Sequence, residues 1–423
     1  MPIREHLRVL RTGRAGRQLG PLLAGRIFEQ AALGIAALVV AARLGPESFA
    51  PVGVLLIVNS AAVTLSDWGL GLAVLGRSHG EQLALRLRHR MHAVNGAIAG
   101  VSVTIGIVVG GEIGTLAAAS GLIWWSSSEA FVTKAGAISA GAGRRAGVAE
   151  MIASTVVLVA VLACAAGDDA LAVVGAALVG KHVLEIVIAR TDAGFSSDGV
   201  MPDVRAIWGT QAVALGVANV DYLIVGLLLG ADAFSIYTIG YRIAVGIPSV
   251  LAYVGTRAAL ADLSAEVDSE ARQRRYVSYV GPLFALGAAA AVVTVIVGAG
   301  LSVALGAEWE LVLPTVLVLS CAAPWRMVFG QAGALALSVR RSRALVRWQL
   351  VQLGALAGVI TLAATVGGLA ASVIAVAVVW IVSTTVIERC AARAARVSGW
   401  AVLRAFAWPG AVVAVVAGVI GFG

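Results

Sequence analysis

Four cations stand inside otherwise apolar stretches of the sequence: Arg26, Lys181, Arg242 and Arg326. In hydrocarbon each costs about 2.5–3.5 kcal/mol on insertion scales, so each needs a partner or a ligand. Arg26 is followed by Glu29 and Gln30 at i+3 and i+4, which reads as a local ion pair or as a ligand contact. Lys181 has His182 beside it and Glu185 one turn on. That pattern reads as a pair tying helices together or as the lining of a water-filled cavity. Arg242 and Asp221 flank one turn at similar depth, and a structural salt bridge between them is expected. Arg326, in PWRMVFGQ, has no acid in its own segment, and Pro324 frees a backbone carbonyl beside it. Its partner must come from another helix or from a bound molecule. Arginine suits an anionic phosphate because its planar fork can pair two oxygens, which a lysine point charge cannot.

The elements that must position these charges are transmembrane helices. Hydrophobic residues make up 60% of the chain, charged ones only 13%, and the mean hydropathy is +0.94. A water-soluble fold of 423 residues needs more polar surface than that. Apolar runs long enough to cross a core about 30 Å thick recur from Leu22 onward. Breaking them at charges and at Gly/Pro clusters gives spans at 22–42, 49–73, 93–110, 113–131, 148–166, 170–189, 206–230, 233–256, 276–305, 311–337, 348–366, 369–387 and 401–422. The first is interrupted by Arg26 and Glu29 and is too long for a signal-peptide core, so it is expected to be a permanent span.

Charge orients the set. Nearly all of the 31 Lys and Arg residues fall in the N-terminus and in every second loop, among them Arg86, Arg88, Arg90, Arg340, Arg341 and Arg343. The opposite loops hold Arg43 alone against Glu47, Glu112, Asp168, Asp169, Asp232, Glu308 and Glu310. The positive-inside rule then places the N-terminus in the cytoplasm and the protein in a bacterial inner membrane. The loops opposite the N-terminus are tiny and leave no room for an external catalytic region. Within the basic loops, Glu81–His92 reads as an ordinary cytoplasmic loop or as a helix lying on the membrane surface.

The junction VVAARLGPESFAPVG recurs loosely as IVGLLLGADAFSIYT, aligning Leu44, Gly45 and Phe49 with Leu229, Gly230 and Phe234. Both lie at the outer turn of the first hairpin of a six-span block. Two such blocks in the same orientation are related by an axis along the membrane normal, which places a substrate site between them. The expected fold is therefore an all-α polytopic membrane protein of two six-helix lobes with a thirteenth span. Its parts are a basic cytoplasmic N-terminus (1–21), an N-lobe (22–190), a cytoplasmic linker (191–205), a C-lobe (206–389), and a final loop and span (390–423).

Several chemistries find no residues. Cys164, Cys321 and Cys390 have no metal or disulfide spacing and read as small apolar side chains. There is no P-loop to bind ATP and no DxD motif at a plausible membrane face for a transferase. No enzyme activity, metal, organic cofactor or nucleic-acid partner is expected. Proton or sodium coupling through Glu29, Asp67 or Glu129 is an open alternative to interface pairing.

RLGPESF, LSDWGLGLAV, DYLIVGLLLGADAFSIYTIGYRI and ALGAEWELVLPTVLVLS resemble the multidrug/oligosaccharidyl-lipid/polysaccharide flippase superfamily, in particular its polysaccharide branch. The resemblance implies two lobes with alternating access and a polyprenyl-diphosphate oligosaccharide as cargo. Membrane lipids, and polysaccharide polymerases or glycosyltransferases, would be partners. Related flippases carry an arginine in the first helix, as Arg26 would be here. With thirteen candidate spans, the chain is expected to depart from the fourteen-span lipid II flippases and to lack their extra pair. On this reading Arg26, Lys181 and Arg326 are expected to line a cavity for the diphosphate, with Glu29, Glu185, Asp221 and Arg242 as pairing or coupling residues. The run Trp124–Ser128 reads as helix packing or as an aromatic platform under a sugar. Drug or cation export by the same superfamily is the alternative, and it calls for an acidic or apolar cavity instead.

Overall fold

The structure, a computed structural model, describes residues 14–68, 81–139, 142–164, 169–190, 204–264, 268–339 and 341–398. The first basic residues, most of the expected linker, Asp168, Arg340 and the expected thirteenth span lie outside them. Nine α-helices are described: α1 Arg14–Leu65, α2 Glu81–Val109, α3 Gly111–Ser139, α4 Gly143–Cys164, α5 Ala170–Ala189, α6 Val204–Ser264, α7 Ser269–Leu305, α8 Val312–Ser338 and α9 Ser342–Ala394. A 3-10 turn, Ala307–Trp309, links α7 to α8.

Three of these helices are hairpins. The backbone leaves helical geometry at Gly45 (φ 73°), Gly230 (φ 86°) and Gly368 (φ 63°). Those angles favour glycine, because a Cβ would clash with the backbone. Side-chain pairs across each break confirm the reversal. Residues 221 and 237 bond across Gly230, and residues 352 and 383 bond across Gly368. Leu33, Ala36, Ala37 and Val40 meet Val52 and Leu56 around one small cavity. With both arms of each hairpin counted, the described residues form twelve helical segments. The two glycines aligned in sequence take nearly the same conformation, with ψ 171° at Gly45 and −174° at Gly230.

Eight of the described helices are long and apolar enough to cross a membrane. The exception is α3, which carries Trp124 to Glu129. Its polar groups are matched by neighbours. Trp124 donates to Asn95 Oδ1 at 3.1 Å, Asn95 donates to the Ser66 carbonyl at 2.7 Å, and the Ser66 and Ser127 hydroxyls meet at 3.0 Å. Trp124 thus takes part in helix packing, while Trp125 is exposed. Glu81–His92 is neither a separate surface helix nor a loop. It forms the first turns of α2, consistent with a run of good helix formers that lacks Gly and Pro. The unburied apolar side chains, Val303 at 84% exposure among them, suit a lipid-facing surface.

The chain groups into two compact units. One takes residues up to Leu44 and Phe49–Leu215; the other takes Gly45–Ser48 and Gly216 onward. In the first unit a Cβ on Gly25 would stand 2.6 Å from the Gly147 carbonyl oxygen. α1 and α4 therefore touch backbone to backbone, which brings the neighbouring Arg26 and Glu150 to one level. In the second, Tyr276, Val280, Phe284, Val328, Leu335 and Ile387 form part of a buried apolar core. Asp268 caps α7, accepting from Ala271 N at 2.8 Å, and that bond holds its exposed carboxyl below the ordinary aspartate value.

Candidate functional site

In the first unit, six charged side chains form one alternating chain through four helices. Arg26 pairs with Glu29 three residues on, within α1. Glu29 accepts from Lys181 Nζ on α5 at 2.7 Å, and Lys181 also reaches Glu185 at 2.8 Å. The second Glu185 oxygen takes Lys134 of α3 at 3.1 Å, and Lys134 closes on Glu150 of α4 at 3.0 Å. His182 stands between Glu185 Oε2 (3.4 Å) and Asn59 Oδ1 (2.9 Å), the latter from the second arm of α1. Three cations meet three carboxylates, so the cluster balances and each charge keeps an opposite neighbour in low dielectric.

This geometry corrects one expectation. Lys181 does not line a water-filled cavity: it has no solvent exposure, and its ammonium is shared by two carboxylates. Arg26 retains 27% exposure. Lys134, outside the expected span 113–131, lies within α3, because the helix carries Gly136 without interruption and runs on to Ser139. Glu150 and Asn59 gave no local signal at all. Glu129 takes Arg88 and His92 from α2, an interface pairing.

The second unit is arranged differently. Gly287 of α7 approaches α8 so closely that a Cβ would lie 2.7 Å from Pro324 Cα, which fixes the helix where Arg326 leaves it. The Arg326 guanidinium lies 3.9 Å from the Trp380 ring centre and 4.9 Å from that of Tyr241. Such a cation–π contact lets a cation remain charged without an acid. Its Nη1 has no hydrogen-bond partner among the described residues, and neither has Trp380 Nε1.

Asp221 and Arg242 do not form the expected salt bridge. The α6 hairpin turns at Gly230 with no loop, so residue 221 faces 237 and residue 218 faces 241. Arg242 therefore falls about a turn away from Asp221. The carboxylate accepts instead from the Tyr237 hydroxyl at 2.6 Å and from Tyr222 N at 3.0 Å. Arg326 is the cation whose charge reaches it most. Tyr222, Tyr237 and Tyr241 pack edge-on or tilted around it, with ring centres 4.8–5.7 Å apart. The Nε of Arg242 has no partner among the described residues.

The architecture matches solved membrane transporters. A MATE protein crystallised with MaL6 superposes with a TM-score of 0.62 at 14% identity, over 97% of this chain and 98% of that one. An inward-facing multidrug resistance MATE transporter of the MOP superfamily gives 0.62 at 12% identity, over 91% and 95%. The lipid II flippase MurJ, in an inward closed conformation, gives 0.69 at 8% identity, over 92% and 91%. The chain has the MATE and MurJ fold. No protein-family model matches the sequence, nor does any curated protein sequence. The all-helical architecture expected from hydropathy is the one found, and at these identities the likeness establishes the fold alone. Both kinds of neighbour move molecules through membranes, one bearing drug resistance and the other lipid II in its name.

Proposed function

We propose that this protein is a transporter of the MATE and MurJ type whose cargo is a polyprenyl-diphosphate oligosaccharide, moved from the cytoplasmic to the outer leaflet. The observation that carries the reading is Arg326. It is held on aromatic rings with a buried donor left open, while the cations of the first unit are neutralised by carboxylates. An unpaired guanidinium N–H suits a diphosphate oxygen. It would repel the cationic drugs of an exporter. Trp380 and Tyr241 add flat apolar faces of the sort on which a sugar or prenyl group packs. Arg26, a quarter exposed, keeps its pair with Glu29. Lys181 acts at one remove, by anchoring the Glu29 to which Arg26 is bound. Outward movement of the anionic head is also downhill in an inside-negative cell, by about 2.3 kcal/mol per charge per 100 mV.

The test is transport by the purified protein in liposomes. A short-chain polyprenyl-diphosphate oligosaccharide should become accessible to an external lectin faster than in protein-free liposomes. A fluorescent organic cation should not be moved. The reverse outcome would make the protein a drug or cation exporter.

In this reading the host membrane is a bacterial inner membrane, with the N-terminus in the cytoplasm and polysaccharide polymerases or glycosyltransferases as working partners. The topology can be checked alone. A cysteine placed at Glu308 should react with an impermeant maleimide from outside intact cells, and one at Arg341 only after permeabilisation. Labelling of both from the same side would refute the orientation.

A further inference from the structure

Trp380 sits on the second arm of α9, beyond the Gly368 turn. Val373, Val376, Thr384 and Ile387, at i−7, i−4, i+4 and i+7 from it, are all buried, so this face of the helix turns into the unit. Arg326 and Phe329, three residues apart on α8, both meet the indole. The guanidinium carbon lies 3.9 Å from the ring centre, and the Phe329 ring stands edge-on at 5.5 Å and 86°. The Trp380 side chain is held from two sides and is only 3% exposed.

Stacking engages the face of the indole, whereas its N–H lies in the ring plane and stays available at the edge. That Nε1 has no hydrogen-bond partner among the described residues. A donor shut away from water without an acceptor is costly to leave so. Arg326 cannot relieve it, because indole and guanidinium carry donors only. Its own Nη1 is equally unpartnered. Asp221 accepts from the Tyr237 hydroxyl and Tyr222 N instead. Two N–H donors, one of them cationic, thus belong to side chains in direct contact, and both lack an acceptor. An oxyanion with several oxygens is the ligand that satisfies such a set, since each donor can take its own oxygen.

We propose that Trp380 Nε1 is a second donor to the oxyanion held by Arg326, the indole N–H and the guanidinium Nη1 each taking an oxygen of one diphosphate group. This rests on the reading of Arg326 as an oxyanion donor and adds a residue that selects for phosphate oxygens. A cationic or donor-rich ligand would leave both N–H groups unpaired. Trp380 is then a binding residue through its nitrogen as well as a stacking face. A lipid-linked diphosphate and inorganic diphosphate offer the same chemistry, and the test uses both.

The test is calorimetric titration of the purified full-length protein in nanodiscs, with a short-chain polyprenyl diphosphate and, separately, with inorganic diphosphate. Trp380→Phe keeps a ring against Arg326 and Phe329 but has no N–H, whereas Trp380→Leu removes both. Trp380→Phe should weaken diphosphate binding about tenfold, the loss of one hydrogen bond to a charged acceptor. Trp380→Leu should weaken it further. Weakening seen only with the lipid assigns the donors to a headgroup, and weakening with both probes assigns them to the diphosphate itself. The wild type supplies a second readout should a variant fail to fold. On titration with the lipid, one of its ten indole N–H resonances should move downfield. Full affinity in Trp380→Phe with weakened Trp380→Leu would overturn the proposal, leaving the ring a stacking face alone. So would ten unmoved indole resonances in a protein that binds diphosphate. Normal transport of the lipid-linked sugar by Trp380→Phe sinks this donor and leaves the cargo reading standing. Movement of the organic cation alone sinks the cargo reading itself.

Discussion

Replacing Glu185 with Ala is expected to destabilise the protein by about 3–5 kcal/mol. Glu185 has no exposure and holds two ammonium groups, Lys181 at 2.8 Å and Lys134 at 3.1 Å, with His182 against its second oxygen. Its loss leaves three cations, of which Lys134 and Lys181 are buried, facing two carboxylates, Glu29 and Glu150. The surplus charge cannot reach water without opening α3 from α5. Glu185→Ala combined with Lys134→Met should recover part of the loss, because it removes a surplus cation together with the acid. A useful contrast is Glu270→Ala on α7. Its partner Arg274 stands 3.7 Å away, and both side chains are exposed, at 84% and 71%. An exposed i,i+4 pair of this kind contributes about 0.3–0.5 kcal/mol. Thermal melting in detergent, followed by loss of the monomer peak, measures all three. Glu185→Ala melting with the Glu270→Ala variant would mean that the buried chain of charges adds nothing to stability.

Arg326→Ala is expected to reduce transport of the lipid-linked sugar about 100-fold while leaving folding and insertion intact. The magnitude follows from losing charge-assisted bonds to a diphosphate, each contributing about 1.5–3 kcal/mol where a tenfold rate change is about 1.4. Folding should survive because no ion pair depends on Arg326. Its removal leaves Trp380 and Tyr241 to close on each other, and Asp221 keeps the Tyr237 hydroxyl and Tyr222 N as donors. Arg326→Lys keeps the charge but loses the fork and the flat stacking face, so about a tenth of the activity should remain. The readout is the initial rate of lectin accessibility in liposomes, normalised to protein recovered in the monomer peak. Normal transport by a folded Arg326→Ala protein would refute the role given to this residue. Movement of the organic cation by the same liposomes would then favour the exporter.

Both expectations rest on contacts that differ in how far they could be read in advance. The twelve helical segments follow from the lengths of apolar runs, since a span must satisfy its own backbone bonds inside hydrocarbon and little besides a helix can. Gly45 and Gly230 were legible as turns because only glycine tolerates that backbone without strain. Arg26 with Glu29 and Lys181 with Glu185 were legible as pairs, because i+3 and i+4 on one helix fix proximity without any tertiary information. Beyond one helix, depth is readable and direction is not. Asp221 and Arg242 share a depth, yet a hairpin that turns on a single glycine gives Asp221 to Tyr237 and moves Arg242 on by a turn. Lys134, Glu150 and Glu185 come from three helices, and Trp380 reaches Arg326 from 54 positions further along the chain. Hydropathy determines how many helices cross and roughly where each begins. Which face each turns to its neighbour depends on rotation and register, and those are settled only when small residues such as Gly25 and Gly147 bring whole helices into contact.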